Sequence, residues 1–287
     1  MTLGRMIAIA GGGDEDEQTL RFAAALAGRH DAWVEILAAY PEATVDLMTL
    51  GLTLSAFPSP AVVEEIEAAH QAIDRRVEAA ARRAAGEQDV VFGPGPDAPR
   101  LSLAQREADS LRAVSRAAAL CDLAILGQAY LDGPGGDGAL LARLLFEDRA
   151  PVFIGRGPAV SLDTVAIAWD GGAQAGRAIR AALPILKRAS RLLVVQREQG
   201  LDPWMADPGL ERLNAYLAAH GVGTARAIPA PQDGEAGQAL LQAARDAGAG
   251  LLVAGAFGHA RLREAIFGGA TRTFLKASDG PSLLLAH

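Results

Sequence analysis

An internal repeat restricts the possible folds of this chain more than any other feature. The apolar run at residues 7–12, which ends in two glycines, recurs at residues 165–172. Two further landmarks recur in the same order: 122–127 as 250–255, and 151–154 as 281–284. Three landmarks in one order indicate two tandem copies of a single folding unit.

Both copies alternate short apolar runs with longer amphipathic ones, a pattern typical of parallel strands joined by crossover helices. In the second copy we predict strands at 164–169, 191–196, 224–228, 251–255 and 282–286, and helices at 175–188, 208–219, 236–247 and 269–277. In the first copy we predict strands at 5–10, 34–39, 89–92, 123–127 and 152–155, and helices at 15–29, 61–84, 100–120 and 139–148. The predicted fold class is therefore α/β, with two tandem open, mostly parallel five-stranded sheets that carry helices on both faces in a Rossmann-like arrangement.

The two copies are separated by a short aperiodic segment at 156–163, which contains Gly157 and Pro158. We therefore expect one domain at 1–157 and a second at 163–287. The first copy differs mainly by an insertion at 41–60 that holds prolines and apolar residues outside any strand or helix pattern. This insertion is a lid or an oligomer contact on one interpretation, and a loop that covers its own core on the other.

Charge and composition exclude several classes of protein. The formal net charge is -7, so long-range attraction to nucleic acid or to an anionic membrane is not expected. The longest weakly charged stretch, 45–57, falls short of the roughly 20 residues that a membrane helix needs. Cys121 is the only cysteine, which excludes an intrachain disulfide and fits a reducing, cytoplasmic setting. The five histidines show no metal-ligand spacing, so no metal site is predicted.

A glycine-rich segment after the fourth strand of the second copy is the best candidate for a ligand site. Gly255 and Gly258 come first, and Gly268 and Gly269 then open a helix. Glycines allow a ligand to approach the backbone closely, and the free amides of a helix start attract phosphate. His259 is a candidate hydrogen-bond partner of such a ligand. The alternative is that the glycines only form tight turns and that the histidine is solvated.

This segment resembles the signature of the universal stress proteins, in which G-x-x-G is followed by nine residues, a glycine, and then Ser or Thr. Gly255, Gly258 and Gly268 match this pattern. Gly269 stands where the family has a hydroxyl, while Thr271 matches a threonine often found two residues later. The resemblance implies contacts between this segment and the phosphates of a nucleotide.

The resemblance extends to the end of the first strand, where the family carries an aspartate that contacts adenosine. Asp170 matches this aspartate, whereas the first copy has Gly11 or Gly12 at that position. Tyr130 stands where the first copy should have its second glycine. The chain thus looks like a tandem universal stress protein, with the fold of adenine nucleotide alpha hydrolases, that binds ATP, with or without Mg²⁺, in its C-terminal domain only.

Three functions remain open at this stage: an adenine-nucleotide-binding stress or regulatory protein, an interaction module of the same fold without a nucleotide, and a slow ATPase. No carboxylate or histidine stands at a predictable distance from the loop as a water-activating base, so no catalytic residue is assigned and slow hydrolysis is the most we expect. As partners we expect an adenine nucleotide and pairing of the two domains through the edge strands 152–155 and 282–286. A homodimer is a further option.

Overall fold

A computed structural model describes residues 2–40, 59–105, 110–128, 131, 138–159, 161–197, 207–256 and 269–287. Most of the predicted insertion at 41–60 lies outside this set, as do Gly258, His259 and Gly268. The chain divides into an N-terminal unit, Gly4–Cys121 with Ile125–Gly127, and a C-terminal unit, Met1–Leu3 and Asp122–Ala124 with Gln128–His287. The domain boundaries expected from the sequence remain a prediction.

The first half of the chain contains the following elements in order: β1 (Arg5–Ala10), α1 (Asp16–His30), β2 (Trp33–Ala38), α2 (Pro60–Glu87), β3 (Val91–Phe92), β4 (Arg100–Leu103), α3 (Ser110–Ala118), β5 (Leu123–Gly127), α4 (Ala139–Ala142), a π-helical turn (Arg143–Glu147) and β6 (Val152–Gly155). The second half contains β7 (Thr164–Ala168), α5 (Ala173–Leu186), β8 (Arg191–Gln196), α6 (Leu210–Ala219), β9 (Arg226–Pro229), α7 (Ala236–Asp246), β10 (Leu251–Gly255), α8 (Gly269–Lys276) and β11 (Ser282–Ala286). Among the described residues, no helix is both long and apolar enough to cross a membrane.

The strands of each unit form an open, mostly parallel sheet, as the sequence predicts. In the N-terminal unit the order is β3-β4-β2-β1-β5, and in the C-terminal unit it is β6-β11-β10-β7-β8-β9. The strands β1 and β2, β2 and β4, β7 and β8, and β10 and β11 all pair parallel. Helices cover both faces, and this explains why strands such as β5 are buried at every residue and lack a polar alternation.

Among the strand pairs whose register the structure describes, that of β6 with β11 is antiparallel. Ile154 faces Leu283, and Phe153 faces Leu284. The internal repeat makes Ile154 equivalent to Leu284 and Phe153 equivalent to Leu283. Each of the two pairs is therefore the counterpart of the other. Both strands are buried along their whole length. The pairing of two whole domains through them remains a prediction.

The predicted helix at 100–120 is wrong at its start, because Arg100–Leu103 is the strand β4. Leu101 lies opposite Val34 of β2, and Leu101 and Ser102 are both buried. Only Ser110–Ala118 is described as helical within this range. The predicted helix at 139–148 also changes character, since it is α-helical only as far as Ala142 and π-helical beyond it.

Candidate functional site

The strand order of the C-terminal unit reverses between β7 and β10. From β7 the chain proceeds through β8 to β9 on one side, and then returns to β10 and β11 on the other. Open α/β sheets bind ligands beyond the carboxyl ends of the strands at such a reversal. Ala168 and Ala254 are directly paired near the ends of these two strands. Asp170 and Gly255 therefore follow them on either side of the reversal. That the two residues belong to one ligand site remains a prediction.

The Asp170 carboxylate is oriented by the backbone of its own loop. One of its oxygens accepts a hydrogen bond from the Gly172 amide at 2.8 Å, one residue before α5 begins. The side chain is half-buried, and its second oxygen has no hydrogen-bond partner among the residues that the structure describes. A carboxylate held in this way can accept hydrogen bonds from hydroxyl or amino groups of a ligand.

The loop that carries Asp170 depends on a glycine at position 171. Gly171 has φ +78°, in the left-handed region that glycine adopts without a steric penalty. A Cβ atom there would lie 2.3 Å from the carbonyl carbon of Asp207. The residues before α6 thus pack directly on this loop. The Asp207 carboxylate accepts a hydrogen bond from the Gly209 amide, and this bond, together with Arg212, lowers the pKa of Asp207.

Gly255 is required by packing within the protein, whatever its role toward a ligand. A Cβ atom on Gly255 would lie 2.5 Å from the Ala175 nitrogen and 2.7 Å from the Gln174 carbonyl carbon. Both atoms belong to the first turn of α5. Gly127, its equivalent in the repeat, also lies against a helix, but there the contact is a side chain: a Cβ on Gly127 would lie 2.4 Å from the Thr19 hydroxyl oxygen of α1. The sequence suggested close approach of a ligand, whereas the structure shows close approach of a helix.

The helix α8 begins at Gly269, where the family pattern expects a hydroxyl. Gly269 is exposed, and no atom lies within 4 Å of the position that a Cβ would take. Thr271 is buried two residues into the helix, with 4% of its surface exposed. The Thr273 hydroxyl lies 3.0 Å from the Gly269 carbonyl oxygen and also contacts the Glu235 carboxylate, which precedes α7. Of the two predicted phosphate contacts in this helix, Gly269 is thus exposed and the Thr271 side chain is buried.

In the N-terminal unit, the loop between β1 and α1 corresponds to the loop that carries Asp170, and a buried carboxylate of the same unit lies against it. Asp16 is 5% exposed and accepts a hydrogen bond from the Gly12 amide at 2.5 Å. Burial raises the pKa of Asp16, and the backbone amides of Gly12, Gly11 and Gly13 oppose that shift. The sequence prediction missed this contact. The signal was present as an acidic run directly after three glycines.

The N-terminal unit also contains a cavity of about 230 Å³ at the ends of β2 and β4. Its polar corner is formed by the Tyr40 hydroxyl, which donates to the Asp74 carboxylate at 2.6 Å. The described walls are mainly apolar: Ile36, Leu37, Ala38, Val77, Leu103, Ala104 and Ala113, with Gln105 beside them. Within the described residues, no group of three or more His, Cys, Asp or Glu is placed to hold a metal ion.

Comparison with known proteins identifies the fold. No family model matches the sequence, and no curated protein matches it. Among solved structures, a universal stress protein from Archaeoglobus fulgidus aligns with 99% of this chain and 96% of its own, at 14% identity and a TM-score of 0.67. A putative universal stress protein from Pseudomonas aeruginosa aligns with 99% of this chain and 93% of its own, at 13% identity and a TM-score of 0.52.

These two matches extend over nearly the whole of both copies. The resemblance to universal stress proteins that the sequence predicts is thus confirmed at the level of the fold. A universal stress protein solved in complex with cAMP aligns with 44% of this chain and 97% of its own, at 21% identity and a TM-score of 0.35. At that TM-score the match carries no argument about the ligand of the present chain.

Proposed function

We propose that this chain, which has the fold of the universal stress proteins, binds one molecule of ATP, with or without Mg²⁺, in its C-terminal half. The observation that supports this proposal best is the placement of Asp170 and Gly255 on either side of the strand reversal. Ligands of open α/β sheets bind at this point. We further propose that the bound nucleotide serves a regulatory or stress-related role in the cytoplasm and is not rapidly hydrolysed.

The adenosine part is assigned to Asp170. Its carboxylate is fixed by the Gly172 amide and retains an oxygen without a partner among the described residues. Ribose hydroxyls and the adenine amino group are donors that such an oxygen accepts. Because the carboxylate is already oriented, little side-chain entropy is lost when the ligand binds.

The phosphates are assigned to the segment from Gly255 to Gly269, with Gly258, His259 and Gly268 as the predicted contacts that lie outside the described residues. Gly269 begins α8, and the first amides of a helix carry partial positive charge with no partner inside the helix. Gly269 itself is exposed. Thr271 is the weakest of the assigned contacts, because its side chain is buried.

The first copy is not expected to bind a nucleotide. It lacks the aspartate that contacts adenosine in the family. The amides of its β1–α1 loop also already donate hydrogen bonds to the Asp16 carboxylate. The adenosine part of a nucleotide would have to displace this buried group. We therefore propose one site per chain.

Equilibrium dialysis with labelled ATP tests the proposal directly. We expect saturable binding at one molecule per chain, and phosphate release over hours at no more than the background rate. Absence of binding would favour an interaction module of the same fold. Rapid phosphate release would instead favour an ATPase.

We also propose that the two domains pair through β6 and β11, whose antiparallel register is reciprocal under the repeat. A shortened chain that begins at Asp163 would expose β11 as an edge strand and should therefore form a dimer. Sedimentation of this shortened chain as a monomer at high concentration would contradict the pairing.

A further inference from the structure

A buried arginine lies directly after β6. Arg156 is 4% exposed, and its backbone amide donates to the Ser282 hydroxyl oxygen at 3.1 Å. Its guanidinium extends toward α8 and donates to the carbonyl oxygen of Phe274. A buried guanidinium is costly unless hydrogen bonds compensate for the lost water, so these contacts hold the side chain in one position.

A glutamine completes the contact with the helix. The Nε of Arg156 donates to the Gln128 side-chain oxygen at 3.1 Å, and Gln128 in turn donates through its Nε2 to the Leu275 carbonyl oxygen at 2.9 Å. Two consecutive carbonyls of α8 are thus bound, one by the arginine directly and one through the glutamine. The planar guanidinium and the planar amide fix this geometry more narrowly than an ammonium group would.

These carbonyls belong to the last turn of α8, which ends at Lys276. The last carbonyls of a helix lack partners within it and carry partial negative charge, so a cation at this end stabilises the helix. The side of α8 packs closely against α7 at Gly237. A Cβ added to Gly237 would lie only 2.8 Å from the Ala270 Cα, so this second contact also fixes the position of α8. The flank contact and the contact at the C-terminal end together determine where the first residue of α8 lies.

We infer that Arg156, together with Gln128, is a positioning residue of the nucleotide site: it holds the C-terminal turn of α8 and so fixes the amides at Gly269 that face the phosphates. This inference rests on the proposed function. The helix spans eight residues, so a tilt about its flank contact at Gly237 moves both ends. Hydrogen bonds weaken steeply as their distance and angle depart from the preferred values, so such a movement weakens the contact of the Gly269 amides with a phosphate.

The test compares ATP with adenosine, because only ATP uses the phosphate contacts. Calorimetric titrations of both ligands would be made with wild type, Arg156→Lys and Gln128→Ala. Arg156→Lys keeps the positive charge and loses the planar guanidinium with its several N–H donors. Gln128→Ala removes the amide and keeps the arginine. Arg191→Gln is the matched control, since Arg191 is an exposed arginine that donates to Ala247 at the end of α7. Hydrogen exchange of the α8 amides would be measured in parallel without ligand.

We expect ATP affinity to fall about tenfold in Arg156→Lys and Gln128→Ala, which corresponds to one lost charge-assisted hydrogen bond. Adenosine affinity should stay within about twofold of wild type, a difference too small to reflect a lost hydrogen bond. The α8 amides should exchange faster in both variants and not in Arg191→Gln. If wild type binds ATP but the ratio of ATP to adenosine affinity is unchanged in both variants, the inference is overturned and the proposed function stands. Absence of ATP binding by wild type would overturn the proposed function and this inference with it, whereas the exchange data would still report on the contact at α8.

Discussion

Replacement of Gly255 by alanine tests the packing between β10 and α5. The added methyl would lie 2.5 Å from the Ala175 nitrogen and 2.7 Å from the Gln174 carbonyl carbon, both of which are backbone atoms. Ordinary contact begins at 3.4 Å, so the helix and the strand must separate by about 0.9 Å. Because neither atom can rotate away, the separation must come from movement of a whole element.

The magnitude follows from two opposing effects. Forcing a methyl into a packed interior costs about 1–3 kcal/mol. The lower backbone entropy of alanine in the unfolded chain returns about 0.4–1 kcal/mol. We therefore expect Gly255→Ala to lower the free energy of unfolding by about 1.3 kcal/mol, the difference between the midpoints of these two ranges.

Denaturant unfolding followed by circular dichroism measures this loss. Gly269→Ala is the matched control, because no atom lies within 4 Å of the new methyl. Because no clash opposes the entropy effect at this position, its free energy of unfolding should equal that of wild type or rise by up to about 1 kcal/mol. Equal midpoints for Gly255→Ala and wild type would refute the claim that this glycine is required by the contact with α5.

Three further predictions concern single residues. Burial raises the pKa of Asp16, so the stability that its protonated form contributes is present below pH 3.8 and is lost as the pH rises through the raised pKa. Asp16→Asn cannot ionise, so its free energy of unfolding relative to that of wild type should increase from pH 4 to pH 7. A difference that stays constant over this range would contradict the raised pKa of Asp16. Gly269→Ser restores the family hydroxyl in open space and should strengthen ATP binding by about 0.5–1.5 kcal/mol in calorimetry, whereas unchanged affinity would remove this position from the site. Trp33→Phe removes the 2.7 Å hydrogen bond from the indole to the buried Ser102 hydroxyl, and it should lower the free energy of unfolding by about 1–3 kcal/mol in denaturant unfolding. If Trp33→Phe destabilises the Ser102→Ala variant by the same amount, this hydrogen bond is not the cause.

The tandem α/β architecture could be predicted because its signals are local and occur twice. The strands at 5–10, 191–196, 251–255 and 282–286 coincide with those of the structure, since apolar runs bounded by turns identify buried parallel strands without knowledge of their neighbours. The position of Asp170 beyond β7 followed from the same pattern.

What the sequence did not show depends on contacts between distant segments. The strand β4 pairs with β2 at Leu101 and Val34, and this distant pairing overrides a local pattern that favoured a helix. The role of Gly255 depends on where α5 lies, and the Arg156 contact joins residues more than 100 positions apart in the chain. The burial of Asp16 likewise depends on how its loop folds back over the three glycines.

The stoichiometry of ATP binding tests the central claim most directly. Calorimetric titration of wild type should give one site per chain. Asp170→Ala should weaken the binding of adenosine as well as ATP, and Gly258→Tyr, which introduces the residue of the first copy, should abolish ATP binding by obstructing the phosphate path. A stoichiometry of two, or unchanged affinity in Gly258→Tyr, would contradict a single site in the C-terminal half.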